Sequence, residues 1–191
     1  MKFTETPLPG VFVLSPEPHQ DSRGFFARIW CEEELRGHGL NPRLRQASLS
    51  HNIRAGTLRG MHFQAPRAEA KIVGCTAGAL FDVVVDLRPE SPTFCRWFGT
   101  ALSRGNRKMI YVPEGCAHGY QTLEDDTDVF YQISEFYSPE QASGVRWDDP
   151  AFGIDWPGDV DPLISDKDKA WPLFIKPGPF KTKEATYAAV S

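Results

Sequence analysis

Proline and glycine, sixteen of each, interrupt this chain so often that few stretches are long enough for a stable helix. The segments between them are short and rich in Val, Ile, Phe, Tyr and Thr, a pattern that predicts an all-β fold. Candidate strands are Gly10–Leu14, Phe25–Trp30, Leu44–Ser50, Thr57–His62, Lys71–Cys75, Ala79–Leu87, Phe94–Leu102, Lys108–Val112, Gly119–Thr122 and Asp128–Phe136. One helix fits, Glu32–His38: its three leading glutamates suit the positive N-terminal end, and Gly39 supplies a stop. In Phe81–Leu87 the alternation puts Phe81, Val83, Val85 and Leu87 on one face, so Asp82 points with Val84 and Asp86 into a different environment. Strands at this spacing fit a jelly roll of two sheets, or a barrel, whose mouth can hold a ligand.

A chain of 191 residues can bury one substantial core. The expected organisation is a single domain over 1–191. Its loop-rich C-terminal extension, from about residue 149, carries Pro150, Pro157, Pro162, Pro172, Pro177 and Pro179 and wraps the barrel. The 21 Lys and Arg residues against 25 Asp and Glu leave a net charge of −4, with neither a basic patch nor an acidic run. That argues against a nucleic-acid groove, and any anionic ligand must be held by a few placed cations. Cys31, Cys75, Cys95 and Cys116 are spread singly without a C-x-x-C pair, which fits reduced thiols in the cytoplasm. Residues 1–20 contain Glu5, Pro7, Pro9, Pro16 and Pro18 and no long apolar run, so neither a signal peptide nor a membrane-spanning helix is expected.

The most informative local signal is Pro113-Glu114-Gly115-Cys116-Ala117-His118-Gly119. A Pro-x-Gly turn there sends the chain sharply back into a strand whose first side chains can face the barrel interior. It resembles the second motif of the cupins, P-x-G-x-x-H. Metal cupins add a first motif with two further histidines and a carboxylate, because a divalent ion needs three or four converging ligands. The corresponding stretch here, His62-Phe63-Gln64, has one histidine, and Glu69 is the only nearby carboxylate. Metal-free chemistry without a cofactor is the expectation, with a metal-dependent cupin enzyme or a non-catalytic binding module as alternatives. Alternation along Gly56–Gln64 puts Arg59 and Met61 on one face and Leu58, Gly60, His62 and Gln64 on the other. A lone histidine in such a place is more often a satisfied core residue than a catalyst. Tyr131 alone reads as a strand aromatic, Arg23 and Asp21 as a turn pair, and Asp168 as part of a solvated charged loop.

Taken together and in order, the blocks are more specific. Asp21–Phe26 (DSRGFF), Gly56–Gln64 (GTLRGMHFQ), Ala70–Val73 (AKIV), Phe81–Pro92 (FDVVVDLRPESP), Pro113–Tyr120 (PEGCAHGY), Phe130–Pro139 (FYQISEFYSP), Trp147–Pro150 (WDDP) and Ser165–Asp168 (SDKD) span nearly the whole chain. The chain resembles the dTDP-4-dehydrorhamnose 3,5-epimerase family. The resemblance implies a cupin jelly roll, a homodimer, no metal, and inversion of C3, C5 or both in a nucleotide-linked 4-keto-6-deoxy sugar. Carried over, His62 is the base and Asp168 its carboxylate partner, with Asp166 a second candidate. Tyr131 is the acid on the opposite face, and Tyr137 stacks on the nucleotide base. Arg23, Arg59, Lys71 and His118 match substrate-contacting positions, as do Gln46 and Ser48. The roles fit the chemistry: a hydrogen next to a ketone is removed by a base that titrates near neutrality, and the developing enolate needs a hydrogen-bond donor or cation.

Three positions depart from the family pattern. Arg28 stands where glutamate is common, Ser48 replaces an asparagine in Q-x-N-x-S, and Ala142 occupies a place that is commonly acidic. Ser50–Gly56 is also one residue longer. These changes bear on substrate identity and the number of centres inverted, so a 3-only or 5-only epimerase of a CDP- or GDP-linked sugar stands as the alternative.

Overall fold

A computed structural model of the chain describes residues 1–158 and 161–175. In chain order the elements are β1 (Lys2–Glu5), β2 (Phe12–Ser15), β3 (His19–Asp21), β4 (Gly24–Phe26), α1 (Glu32–Gly37), β5 (Gln46–Asn52), β6 (Thr57–Gln64) and β7 (Lys71–Ala77). They continue with β8 (Ala79–Asp86), β9 (Trp97–Ser103), β10 (Met109–Val112), β11 (Cys116–Thr122), β12 (Thr127–Ile133), β13 (Ala142–Gly144), β14 (Leu163–Ile164) and α2 (Asp166–Lys169). One sheet runs β1-β2-β10-β7-β12-β5; the other runs β13-β6-β11-β8-β9, with β14 added in parallel to β6. The expected all-β jelly roll is the fold observed. Pro177 and Pro179 of the expected wrapping extension lie outside the described residues.

The two sheets face each other across a core that takes Val73, Cys75, Ile110, Val112 and Val129 from the first and Leu80, Val84, Leu102, Cys116 and Tyr120 from the second. The outer face of the first sheet is closed by α1 through Leu35, against Leu14, Ile72, Met109 and Tyr111. The outer face of the second is closed by the chain after β13, with Val145, Phe152 and Trp156 over Met61, Val83 and Val85. Burial on both faces explains why β7 reads as the unbroken run Lys71–Cys75 rather than as an alternation. It also bears out the alternation of β8: Val84 lies in the inter-sheet core, Val83 and Val85 under the outer cover.

Several expected boundaries move. The strand expected at Phe25–Trp30 is the second arm of a short β3–β4 hairpin that ends at Phe26. The β9 strand starts at Trp97, because Cys95 adopts a positive φ of 63°. The β11 strand starts at Cys116 rather than Gly119, directly on the Pro-x-Gly turn. The β12 strand stops at Ile133 rather than Phe136. β1, β13, β14 and α2 had no counterpart in the sequence reading, being two to four residues long and held by pairing to other strands or, for α2, by contacts with β6.

The expected face of Arg59 is overturned. Between β6 and β11 the register passes from His118↔His62 to Tyr120↔Arg59, so β6 carries one residue more than its partner. Such a bulge breaks the two-residue alternation. Met61 therefore packs under the outer cover. The Arg59 guanidinium reaches Asn52, Nε to Oδ1 at 2.9 Å, the same oxygen to which the core residue Tyr120 donates. Glycine is required at the crossing. Gly60 has φ +148°, and a Cβ there would lie 2.7 Å from the Gly119 Cα.

The turn before β11 is fixed by a buried charge. Gly115 takes φ +81° and packs against the aliphatic stem of Arg88, whose Nε donates to Asp86 at 2.8 Å. Asp86 is fully buried and also accepts from the Ser91 and Thr93 hydroxyls and the Arg88 amide. Burial by itself would raise the Asp86 carboxyl, but those donors outweigh it and hold its pKa at about 2. A carboxylate depressed this far below an unfolded value near 3.8 contributes about 2 kcal/mol. That contribution is present above the unfolded value and is lost as the pH falls through the folded one. Asp86→Asn is therefore expected to lower stability by about 2 kcal/mol at pH 7 in urea unfolding, with the deficit relative to the native protein shrinking below about pH 4.

Candidate active site

Among the described residues, cavities of about 800, 500 and 470 Å³ are large enough to hold a small ligand. The first lies between the β3–β4 hairpin and strands β7 and β10; it is lined by Phe25, Arg107, Met109 and Phe130, with no histidine among its described residues. The second, lined by Arg54, Thr122, Pro157 and Leu163, carries none of the residues singled out from sequence. The third opens between the two sheets. Seven of the ten residues singled out from sequence line it: Gln46, Ser48, His62, Lys71, His118, Tyr131 and Tyr137.

Strand β6 of the second sheet delivers His62, whose side chain is 41% exposed to the cavity. Its Nε2 lies 2.7 Å from Asp168 Oδ1. The carboxylate accepts, so the ring proton sits on Nε2 and Nδ1 keeps its lone pair. Asp168 comes from 106 residues further on. The Ser165 hydroxyl caps α2 by accepting from the Asp168 amide at 3.1 Å, and this Ser-x-x-Asp spacing turns the carboxylate into the interior. Asp168 Oδ2 takes the Gly60 N–H at 3.3 Å. The bulge that redirects β6 thus also supplies a donor to the partner of His62. Burial alone would raise Asp168, but the His62 ring, the Gly60 amide and the Trp171 indole together hold it below the usual carboxylate range. Asp166, the second candidate from sequence, is exposed.

A second histidine–carboxylate pair stands beside the first. His118, the cross-strand partner of His62, places Nε2 2.9 Å from Asp82 Oδ2, and both side chains are buried. Lys71 Nζ is 2.8 Å from Glu69 Oε1 at the edge of the same cavity. Glu69, the third metal ligand the sequence could have offered, is thus engaged with a cation. Among the described residues no cluster of three His, Cys, Asp or Glu side chains is arranged for a metal ion.

Tyr131 comes from β12 of the first sheet and faces His118 edge-on at 6.2 Å. Burial raises its pKa well above that of an ordinary phenol; the Tyr120 hydroxyl and Asp82 add to the rise, and Arg59 opposes it. Tyr137 lies at the rim, 56% exposed. Its amide is held by Gln46 Oε1 at 2.9 Å, and the next amide by Gln64 Oε1 at 2.9 Å. Gln46 therefore shapes the loop that carries Tyr137 as well as lining the cavity.

This arrangement places a carboxylate-backed imidazole on one sheet and an un-ionised phenol on the other, with an ammonium at the side. Such a set can take a proton from carbon on one face of a flat substrate, stabilise the resulting oxyanion and return a proton to the other face.

The family model described as dTDP-4-dehydrorhamnose 3,5-epimerase matches residues 5–176. The chain belongs to this family. A dTDP-4-dehydrorhamnose 3,5-epimerase from Methanothermobacter thermautotrophicus is 42% identical over 172 residues, 89% of this chain and 92% of the relative. The crystal structure of the family enzyme from Bacillus anthracis with TDP and PPi bound superposes with a TM-score of 0.87 at 41% identity, covering 91% of this chain and 99% of that one. A 3'-monoepimerase from Streptomyces bikiniensis, in complex with dTDP-quinovose, gives a TM-score of 0.81 at 34% identity over 88% of this chain and 85% of that one. The chain is thus an isomerase-class protein of the epimerase family, with the family's jelly roll.

Two residues expected in the site are not brought into it. Arg59, an exposed residue held by Asn52, does not line the cavity, although its charge acts on Tyr131. Arg23 sits on the β3–β4 hairpin, its side chain 88% exposed and paired with Asp21 at 2.6 Å. Sequence reasoning missed Tyr120, Asp82 as the partner of His118, and Trp171. The first two were accessible by alternation, Tyr120 two residues after His118 and Asp82 on the inward face of β8; Trp171 follows α2 without any periodic signal.

The raised Tyr131 phenol has a direct optical consequence. Alkaline difference spectra of the native protein and of Tyr131→Phe should coincide up to about pH 11, where an ordinary tyrosine is already ionised, and diverge only beyond it. A loss of one phenolate from the variant near pH 10 would contradict this placement.

Proposed function

We propose that the chain is a dTDP-4-dehydrorhamnose 3,5-epimerase that acts on dTDP-4-keto-6-deoxy-D-glucose. His62 is the base, Asp168 holds it, and Tyr131 is the acid. The observation that carries this reading is the placement of the His62–Asp168 pair and the un-ionised Tyr131 on opposing sheets of one cavity. C3 and C5 both adjoin the C4 ketone, so one base and one acid serve either centre through a common enolate oxygen. Lys71 stabilises that oxygen as charge develops, and His118 lines the sugar end. Tyr137, at the rim, stacks on the thymine, and Gln46 and Ser48 complete the wall. No cofactor enters these steps, because proton transfer alone inverts the centre.

The reading includes a homodimer in which Arg23 reaches the partner's cavity. Its support is that β4 leaves Phe25 50% and Phe26 77% exposed beside an outward Arg23, while no arginine among the described residues lines the cavity. A diphosphate calls for such a planar cation. The cytoplasm is the proposed location, consistent with the free thiols of Cys31, Cys75 and Cys116; no helix among the described residues is long and apolar enough to cross a membrane. One observation favours a second reading, a single-centre epimerase: the departures Ser48 and Ala142 both line the cavity. Arg28, by contrast, pairs with Glu34 of α1 outside it.

In deuterated water the native protein should place deuterium at both C3 and C5 of the substrate by NMR; label at one carbon only selects the second reading, and none with any nucleotide-linked 4-keto sugar defeats both. His62→Asn should lower kcat by about a thousand-fold or more while dTDP binding persists, and Tyr131→Phe should exchange hydrogen without inverting it.

Subunit mixing addresses the dimer. Co-refolded His62→Asn and Arg23→Ala chains, each impaired alone, should recover roughly a quarter of native activity, because only the mixed dimer holds one intact site. If Arg23 serves its own subunit, mixing restores nothing.

A further inference from the structure

Asp168 Oδ1 receives two donors. His62 Nε2 lies at 2.7 Å and the indole Nε1 of Trp171 at 3.2 Å. Trp171 lines the cavity, with its ring edge-on to His62 at a centroid distance of 6.3 Å. The indole is seated by features independent of that hydrogen bond. Gly144 of β13 pairs with His62 of β6, and a Cβ at Gly144 would fall 2.4 Å from the indole Cε2. Only glycine opposite His62 leaves room for the ring. On α2, Lys167 Nζ stands 5.7 Å from the ring centroid of Trp171.

We propose that Trp171 is a positioning residue for the His62–Asp168 pair: its N–H shares the carboxylate oxygen that holds His62 and thereby limits how strongly Asp168 retains a proton on the imidazole. This rests on the reading of His62 as the base. A carboxylate with a single strong donor would bind the imidazolium tightly and slow its return to the neutral form. A second donor on the same oxygen withdraws charge from it, and the base is reset more readily near neutral pH. The indole also fixes the plane of the carboxylate, since its geometry is set by Gly144 rather than by the short helix.

Other charged groups face the same cavity: Lys167 from α2, Lys71 with Glu69 before β7, and His118 with Asp82 from β11 and β8. The phenols of Tyr120, Tyr131 and Tyr137 also face it. Among the described residues the Asp168 carboxylate accepts from the His62 ring, the Trp171 indole and the Gly60 amide and from no other group. Removal of the indole N–H therefore acts on this carboxylate first.

The test replaces Trp171 in the full-length protein in two ways: Trp171→Phe, and 3-benzothienylalanine at position 171, which keeps the indole shape with sulfur in place of N–H. Asp168 is followed by carboxyl ¹³C NMR, which needs no turnover, and the epimerisation by the pH profile of kcat/KM. Both replacements should raise the Asp168 titration and move the acid limb of the profile upward by about half a pH unit or more, with KM changed by less than about two-fold. If Trp171→Phe fails to fold, the isosteric replacement decides. The proposal is overturned if the isosteric protein leaves the Asp168 titration unmoved, or if the acid limb stays in place or moves down. Failure of the functional reading is separate: it would show as native protein without turnover, or as His62→Asn with undiminished turnover, whatever Asp168 does.

Discussion

The close crossing of Gly60 and Gly119 governs the rest of the site. Two backbones pass with no side chain between them, and β6 gains one residue on β11 at that point. Without the extra residue, Arg59 and His62 would face opposite sides. With it, Met61 goes under the outer cover, His62 turns into the cavity, and Arg59 reaches Asn52 behind Tyr120. At the same irregularity the Gly60 N–H donates to Asp168. A Cβ at either glycine meets backbone or a sulfur within 3 Å, so no ordinary side chain fits without shifting one strand from the other.

Two histidines cross-paired on neighbouring strands, each backed by a carboxylate, have different environments and so different capacities. The His62 side chain is 41% exposed and can meet a ligand, whereas His118 is 5% exposed and its partner Asp82 is fully buried. Among the described residues Asp82 Oδ1 has no hydrogen-bond partner. A buried carboxylate with an idle oxygen is destabilising unless the neighbouring group offsets it, and His118 is the group in place to do so. The deep pair therefore fixes a wall of the cavity, and the shallow pair is the one free to exchange a proton with a substrate.

The fold was legible where burial leaves a periodic trace. The candidate strand Lys71–Cys75 and the alternation of β8 both survive, and the latter even placed Asp82 correctly apart from Val83 and Val85. Legibility failed where tertiary contacts decide. β13 and β14 are three and two residues long and exist because β6 offers an edge. The face of Arg59 was misread because alternation assumes a regular ladder, and nothing in Leu-Arg-Gly-Met-His announces a bulge beyond the glycine itself. The His62–Asp168 pair spans 106 residues; no local pattern joins its members, and only the resemblance of ordered blocks did so. Trp171 matches no block and is found only in three dimensions.

The jelly roll also explains why this chemistry suits this fold. Facing sheets pack about 10 Å apart with their side chains interdigitated, so a ligand enters only where they part, as at the cavity of about 470 Å³. Groups mounted on opposing sheets then reach opposite faces of whatever lies between them. His62 stands on β6 of one sheet and Tyr131 on β12 of the other, so in the proposed reaction removal from one face and return to the other would follow from the architecture without the ligand turning over. A single sheet would have to bring the second group in on a loop or a neighbouring element. Here both are on paired strands, which hold the angle between them as rigidly as the core itself.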